Sequence, residues 1–487
     1  MSALATVIRH ENRVLSADRA SWIGLAVFLV IALYAIVSGA TWMQLRQAEA
    51  ATSVQISLER SAEFDRNLAV IEAGRLAELG KPNWYKRWSG APTTPDSRAV
   101  LPSRPLLLIA SNAGELQPHL ATMRPASSRH SLLDDLKAST QNPVTLAVGR
   151  LDMVFLLTAA LPLLLLAFSF NLLSVEREQG TLALVLAQPI ALATVITGKL
   201  LTRFLRLLLP IAIAVPLLLA LAVDPAQLGR APLDYLLLAA LILVYGAFWL
   251  LLAGLINALG GSSARNALSL GGLWLLLVLV VPSLLNIAAA ALHPPPDRAG
   301  LTNELRARLV EARNGGDQLY QDHALEHPDT VVAESTDPAE AFDSAKATLT
   351  TWLVRERTDA LVAPIAERFE QDLAAQQDLA ESGRFLSPAL LFQAALNRLA
   401  GVDAARSRAF SAAAKAHLDA LRAQLIPKVL AGQILRAGDY GRLPRFAMTE
   451  PSAAGPLGLD LLGLLLAVLL PSVLLMARLR SARPVIR

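Results

Sequence analysis

Two histidines and a glutamate in His323-Ala-Leu-Glu326-His327 form the pattern whose spacing best suits metal chemistry in this chain. On a helix, histidines four residues apart lie on one face, where they could bind Zn²⁺ while the glutamate acts as a base toward bound water. Pro328 follows directly and disfavours helical geometry at His327. Because the sequence offers no evident third ligand, we favour a solvated helix end without metal or catalytic residues. A hydrolase built on these residues is the alternative.

Several other kinds of site are excluded because the sequence lacks the residue types or motifs that they need. There is no cysteine, which excludes disulfides, thiolate metal sites and cysteine nucleophiles. No G-x-x-x-x-G-K-[ST] loop occurs, and Gly198-Lys199 lacks both the upstream glycine and the following hydroxyl. Any ATP and Mg²⁺ would therefore have to be bound by a separate subunit. The near balance of 44 basic and 40 acidic residues does not favour a nucleic-acid partner.

Aliphatic side chains are more abundant than a soluble protein of 487 residues would bury. Hydrophobic residues make up 54% of the chain and aromatic residues only 5%, so the excess is expected to contact membrane lipid. A membrane-spanning helix needs about 20 apolar residues. The segments that meet or approach this length are residues 22–43, 153–173, 199–223, 235–259, 267–292 and 457–477. The apolar part of the third begins at Leu207, is short and contains Pro210 and Pro216, which predicts a kink or an extension into the region of Arg203 and Arg206.

The positions of Lys and Arg predict how these six spans are oriented. Basic residues are found in the N-terminal arm 1–21, after the second span and in the tail 478–487, which all lie on one side. That side is expected to be the cytoplasm of a bacterial cell, so both termini lie inside and the protein is multi-pass in the inner membrane. Segments 44–152 and 293–455 are then periplasmic.

The two periplasmic segments are expected to form one mostly helical external domain, and two independent loops are the alternative. A helix is indicated from Arg46 to Leu79, and the apolar run 104–110 suggests a short buried strand. Apolar residues at three- and four-residue steps predict two further helices. They are Leu349, Trp352, Leu353, Leu361, Val362, Ile365, Phe369 and Leu373, and then Phe410, Leu418, Leu421 and Leu425. The fold class is thus mainly α.

A further apolar run between Glu178 and Lys199 is not expected to span the membrane. Gln188-Pro189 lies in its middle, where proline removes a backbone donor and divides the run into two short helices. We expect residues 174–198 to lie at the inner membrane surface. Their aliphatic face would contact the bundle, and Glu176, Arg177 and Glu178 would face a partner. A solvated stop-transfer cluster is the alternative reading of these charges.

The same run resembles the cytoplasmic signature of type-2 permeases of ATP-binding-cassette (ABC) exporters. The resemblance rests on Ser174-Val-Glu-Arg-Glu-Gln-Gly-Thr-Leu-Ala-Leu-Val-Leu-Ala-Gln-Pro-Ile190 followed by Gly198-Lys199. It implies a coupling helix that docks on an ABC ATPase subunit. The residues to which this role is carried over are Glu176, Arg177, Glu178, Gly180, Thr181, Leu182, Gln188, Pro189 and Lys199.

A second resemblance, in the external segment, is to a permease group with a large periplasmic domain and no assigned substrate. It rests on residues 293–298, 386–393 and 399–403 and on Phe410. The two resemblances imply ATP-driven export, with periplasmic partner proteins. A single bundle of six helices offers little room for a conduit, so a second permease subunit, identical or paralogous, is expected. A sensor or scaffold that does not transport is the rival class.

Several polar residues lie within or near the predicted spans. Polar groups in a membrane are costly unless they are paired or face water. The candidates are Asn171, Tyr245, Asn257, Asn286 and Asp460. Local capping at span ends suits Asn257 and Asp460, and Asp460 is expected near the outer boundary. The turn that contains Gly260, Gly261 and Arg265 could form a second, smaller ATPase contact.

Overall fold

The computed structural model describes residues 3–73, 75, 97–123, 151–223, 232–294, 298–328, 338–430, 437–440 and 442–481. These residues are mostly helical. The first helices are α1 (Ala3–Ala17), α2 (Arg19–Glu72), α3 (Ser111–Glu115), α4 (Met153–Ala167), α5 (Ser174–Glu178), α6 (Thr181–Leu186) and α7 (Leu192–Ala222). They are followed by α8 (Pro232–Ala258), α9 (Ser263–Leu292), α10 (Arg298–Asn314), α11 (Gly316–Glu326), α12 (Pro338–Ser382), α13 (Pro388–Ala400), α14 (Ala404–Leu430), α15 (Ala437–Tyr440) and α16 (Ala454–Ser481).

Five helices in the described residues are long and apolar enough to cross a membrane. They are the stretch Arg19–Asn67 of α2, and α7, α8, α9 and α16. The remaining predicted span, 153–173, is only in part a helix, because α4 ends at Ala167 and residues 168–173 form turns. The third predicted span begins earlier than residue 199, at Leu192, in agreement with the expected extension past Arg203.

Prolines explain three wide turns within these helices. The π-helical turns Leu156–Ala160, Phe204–Leu208 and Leu276–Val280 each end two residues before a proline, namely Pro162, Pro210 and Pro282. Proline lacks an N–H and its ring clashes with the carbonyl of the preceding turn, so a wider turn relieves the contact.

Side chains from other elements donate hydrogen bonds to carbonyl groups in two of these turns. Thr158 O has lost its helical partner at Pro162 and accepts a hydrogen bond from the Tyr245 hydroxyl at 2.8 Å. Leu277 O, in the turn before Pro282, accepts one from the Ser387 hydroxyl at 2.6 Å. These bonds remove the cost of unpaired backbone groups inside the bundle.

A short hairpin from the predicted external segment enters the bundle. We call residues 383–400 the re-entrant hairpin: the 3₁₀ turn Gly383–Leu386 followed by α13. Ser387 reaches the midpoint of α9, and Phe392 stacks on Tyr245, in the middle of α8, with ring centroids 4.2 Å apart. Phe392 is fully buried in the core that the bundle helices share. Segment 293–455 therefore contributes a helix to the bundle, which the sequence did not predict.

The two predicted external segments pack against each other. Strands β1 (Ser97–Val100) and β2 (Leu120–Met123) pair antiparallel, with Ser97 opposite Met123. Together with α14 they enclose a small core, whose buried members are Ala99, Leu101, Ala121, Met123, Phe410, Ala414 and Leu418.

Polar contacts between the same segments add to this packing. Arg406 donates to Pro102 O at 2.6 Å, and Gln117 donates to Val402 O. Segments separated by about 300 residues thus form one packed unit.

Local predictions for this unit succeed at the helices and fail at the strand. Leu349, Trp352 and Val362 of α12 are buried, as are all four named residues of α14, which confirms both helical stripes. Residues 105–110 are a 3₁₀ helix, not a strand. Pro105 fixes the φ angle at the first helical position, and short apolar runs do not specify a period. The predicted helix 46–79 is helical to Glu72, and residues 76–79 lie outside the described part.

Candidate functional site

An elbow of two short helices joins α4 to α7, where the sequence predicts the coupling element. We call residues 174–191 the elbow. Helix α5 ends at Glu178, α6 runs from Thr181 to Leu186, and residues 187–191 turn into α7. The helix stops just before Gln188-Pro189, as the proline predicts. Gly180, between α5 and α6, has φ +73° with open space around it, so its backbone conformation requires glycine there.

The elbow has one face against the bundle and one facing out. Leu182 is buried in a cluster with Val195, Ile196 and Leu475, with Val185 packed beside it. On the opposite face, Leu184 is 71% exposed and Leu186 is 38% exposed. Thr181, Gln188 and Pro189 are also exposed. The outward surface of the elbow is therefore mainly apolar.

A buried cluster of four charges ties the elbow to α1 and α7. Lys199 Nζ lies 2.9 Å from Glu11 Oε1 and 2.8 Å from Glu176 Oε1. Arg203 Nη1 lies 3.1 Å from Glu11 Oε2. Burial raises the pKa of Glu11, but Lys199 and Arg203 together outweigh it and leave the pKa below its ordinary value. Two carboxylates and two cations balance, so the cluster has no net formal charge.

The other two charges of the elbow bind the turn between α8 and α9. Arg177 Nη1 donates to Gly261 O at 3.3 Å. Glu178 accepts from Ser263 N at 2.7 Å and from the Ser263 hydroxyl at 3.1 Å, so it caps the N-terminus of α9. We expected these charges to face a partner. All three bind groups of their own chain, but Glu178 is also exposed and the other two are half-buried, so that expectation stays a prediction.

The structure thus brings together the two regions predicted to contact an ATPase. Gly260 has φ +88°, and a Cβ there would lie within 4 Å of the Arg177 guanidinium. Arg265 is exposed beside this turn, where its backbone N–H is capped by Ser262. The elbow and the α8–α9 turn therefore form one continuous surface at this end of the bundle.

Buried amides hold the same end of the bundle together. Asn257 accepts from Leu173 N and donates to Ser169 O, both at 3.1 Å. Asn266 donates to Asn257 Oδ1 at 3.1 Å. Asn257 thereby satisfies backbone groups in the turns that follow α4. Local capping was expected for Asn257; one of its bonds is local, to Ala253 O at 2.9 Å, but the groups that it caps lie on another element.

Asp460 lies near the start of α16 and is fully buried, so it is not a local cap exposed at the end of the helix. It binds Arg384 and Arg398 of the re-entrant hairpin. Tyr245 is buried and bonded to Thr158 O, Asn171 is half-buried, and Asn286 is exposed on α9.

Sequence reasoning missed Glu11 and Arg203 as members of the elbow cluster. A signal for Glu11 was available, because it lies on the same face of α1 as the apolar residues Leu4, Val7 and Leu15. A charge within an apolar stripe predicts a buried partner. Arg384 and Arg398 were also missed.

The histidine pair lies at the end of α11 without a metal-binding arrangement. Helix α11 ends at Glu326, and His327 has φ −130° and ψ 65°, as Pro328 predicts. The rings of His323 and His327 lie 4.8 Å apart, centroid to centroid. Burial and the neighbouring His327 lower the pKa of His323. Over the described ranges, no group of three or more histidine, aspartate or glutamate side chains could hold a metal ion.

Comparison with known proteins found one family model that matches part of the chain. Residues 313–449 match the model of a domain of unknown function, DUF3526. The match begins at the end of α10 and includes α11, α12, the re-entrant hairpin and α14. No curated protein matches the chain.

Proposed function

We propose that this chain is the membrane-spanning permease subunit of an ABC transporter, most consistent with export. The observation that carries the proposal is the elbow, a surface element with an exposed apolar face. Ion pairs and hydrogen bonds join it to α7, to α9 and to the α8–α9 turn, apolar packing joins it to α16, and Lys199 links it onward to α1. An element held in this way can transmit its own movement to the helices that it contacts. The resemblance to type-2 permeases indicates that this movement is driven by an ABC ATPase subunit, which binds ATP and Mg²⁺.

In the proposed mechanism the ATPase contacts the outward face of the elbow, at Leu184, Leu186, Gln188 and Pro189. Movement of the elbow reaches α1 and α7 through Glu176 and the charge cluster. It reaches α8 and α9 through Arg177 and Glu178. Glu176 to Glu178 and Lys199 thus transmit the motion, while the exposed apolar residues receive it.

The proposed topology has six spans in the inner membrane of a bacterium, with both termini and the elbow in the cytoplasm. Helix α4 is the second span, and its 15 residues correspond to about 23 Å. The turns at 168–173, whose backbone groups Asn257 partly satisfies, would cover the rest of the bilayer core. Substrate would pass between two such bundles in a homodimer or heterodimer. The packed unit of the external segments would hand it to periplasmic partners.

Replacement of Leu184 by arginine tests the proposed docking face directly. Leu184 is 71% exposed, so the variant should fold normally. We expect it to abolish co-purification with the proposed ATPase subunit and to remove the ATPase stimulation that the permease causes. Leu325→Arg, on an external helix at 82% exposure, is the matched control and should change neither. Normal complex formation and ATP hydrolysis by the Leu184 variant would reject the docking face.

The topology can be tested in the natural cysteine-free background. Single cysteines at Leu184 and Leu325 should react with a membrane-impermeant maleimide from opposite sides, with Leu184 on the cytoplasmic side. Labelling of both from the same side would contradict the proposed orientation. A sensor or scaffold would show the same labelling pattern, but no ATPase would co-purify with it.

A further inference from the structure

A single buried carboxylate binds both arms of the re-entrant hairpin. Arg384, before α13, donates from Nε to Asp460 Oδ1 at 2.7 Å. Arg398, near the end of α13, donates to Asp460 Oδ2. Glu381, at the end of α12, binds Arg398 as well and lies 3.6 Å from Arg384 Nη1. The Asp460 side chain is 0% exposed. Two carboxylates and two guanidinium groups thus form a neutral cluster between α16 and the hairpin.

The remaining contacts of the hairpin are of a different kind. Phe392 stacks on Tyr245, Leu391 packs against Gly463, and Ser387 bonds to Leu277 O. Apolar surfaces can slide past one another by small steps at low cost. A buried ion pair is either made or broken, because an intermediate leaves unpaired charges in an apolar environment. Asp460 is therefore the contact that gives the position of the hairpin two discrete states.

The hairpin also joins the bundle to the unit formed by the external segments. It continues from α12, a helix of 45 residues, without an intervening loop. Its other end is Ala400, and Gly401, with φ +73°, begins the three-residue link to α14. At the tip, Phe385 and Leu386 are 51% and 66% exposed, so they are not enclosed by the bundle. A displacement of α12 or α14 must accordingly reach the hairpin and act on the Asp460 contacts.

We propose that Asp460 is a latch that holds the re-entrant hairpin in the bundle, and that the hairpin is the segment displaced when the bundle opens toward the external unit. The groups that face Asp460 are Arg384 and Arg398 of the hairpin, with Glu381 bound to both. Arg104 of the other external segment donates to Arg398 O at 3.2 Å and so contacts the same arm. The role in opening rests on the proposed transport function, whereas the latch itself does not.

Cysteine accessibility tests the latch independently of transport. Ala395 of α13 is fully buried, so a cysteine placed there in the cysteine-free chain should react slowly with a small maleimide in membranes. Combination with Asp460→Asn should raise its reaction rate at least tenfold, and Asp460→Glu should restore slow reaction. Glu11→Gln is the matched control, because Glu11 is also a buried carboxylate that binds two cations but belongs to α1 and the elbow cluster, and it should leave the rate unchanged.

A second buried cysteine separates release of the hairpin from loss of the fold. Ala212 of α7 is buried in the bundle away from the hairpin. A cysteine there should stay unreactive in the Asp460→Asn variant. Rapid reaction at both positions would mean that Asp460 stabilises the whole bundle and would overturn the latch, as would slow reaction at both.

A reversible disulfide tests whether the hairpin must move. A Cβ at Gly463 would lie 3.0 Å from Leu391 Cδ1, so these two facing positions are chosen for a cysteine pair between α16 and α13, and loss of both free thiols on oxidation verifies the link. Oxidation should stop transport by the ATPase complex, and reduction should restore it. Transport by the oxidised protein would overturn the role in opening. A reduced protein that forms no ATPase complex would instead refute the proposed function, while the labelling result would still decide the latch.

Discussion

Replacement of Lys199 by methionine should release α1 from the elbow. Lys199 Nζ contacts carboxylates of both Glu11 and Glu176, at 2.9 and 2.8 Å, and the side chain is 8% exposed. Methionine has a similar length, so packing is largely kept while the charge is lost. Arg203 then remains as the single cation for two carboxylates. Removal of one partner of a buried ion pair costs about 3–5 kcal/mol. We take the lower end, about 3 kcal/mol, because Arg203 still binds Glu11.

Hydrogen exchange of the α1 backbone amides measures this release. At about 1.4 kcal/mol for each factor of ten, the loss corresponds to on the order of 100-fold faster exchange in α1. Arg13→Met provides the control, since Arg13 is an exposed charge on the same helix. That variant should exchange at the wild-type rate. Equal effects of both substitutions, or unchanged exchange in the Lys199 variant, would show that the cluster does not hold α1.

The pH dependence of the same exchange should reverse in sign. In the wild type the pKa of Glu11 is lowered, so its stabilising effect is present above the unfolded value of about 4.3 and is lost as pH falls through the folded pKa. Without Lys199, burial should dominate and raise the pKa of Glu11. Protection of α1 in the variant should then increase as the pH falls from 7 toward about 5. A wild-type-like pH profile would contradict this reasoning.

Three further substitutions test other buried contacts. Asn257→Leu should lower the stability in detergent by about 3 kcal/mol, because several buried groups lose a hydrogen bond; thermal unfolding measures it, with the exposed Asn286→Leu as control. The hydrogen bond from Arg406, opposed by burial, lowers the pKa of Glu450. Glu450→Gln should therefore remove the loss of protease resistance that the wild type shows as pH falls below about 4.3. Burial and then Arg46 lower the pKa of His119 to about 4. Stability is then full above about pH 6.5 and falls toward pH 4, and His119→Leu should flatten this part of the unfolding profile.

Hydropathy predicted the apolar helices well and their ends less well. Five of the six segments appear as long apolar helices, because about 20 apolar residues leave the backbone few other options in lipid. The early end of α4 could not be read from its own residues. Its last turn is replaced by bonds to Asn257, which lies 88 residues further along the chain than Ser169. Tertiary contacts of this kind override a local pattern.

The elbow was predictable as a break in the chain but not as a set of contacts. Pro189 alone excludes a continuous helix, and the structure has that break. The partners of the elbow charges come from other elements: Glu176 is bonded to Lys199, 23 residues apart, and Glu178 to Ser263, 85 residues apart. The sequence of a charged tripeptide does not show whether its side chains contact solvent, a partner or their own chain.

The re-entrant hairpin shows the limit of counting apolar residues. Its helix α13 has 13 residues, a length that hydropathy assigns equally to a buried core helix, an interfacial segment or a re-entrant one. Asp460 distinguishes these cases, because the cost of burying its charge is offset only when Arg384 and Arg398 bind it. The hairpin provides the partners that Asp460 needs, and Asp460 accounts for the position of the hairpin. Neither feature could therefore be predicted from the sequence without the other.

Both charge clusters join a segment that does not cross the bundle to a helix that does. Glu11 and Glu176 meet Lys199 and Arg203 of α7 at one end, and Asp460 of α16 meets the hairpin at the other. A buried ion pair is on average no more stabilising than well-packed apolar residues of the same volume, so stability alone does not account for its use. Apolar packing tolerates a range of positions, whereas an ion pair requires one register and separates completely when that register is lost. Ion pairs therefore suit joints that must be closed in one state and open in another. This argument predicts that apolar replacement of all four charges in the elbow cluster keeps the fold but uncouples the elbow from the bundle, whereas removal of Lys199 alone disrupts local structure.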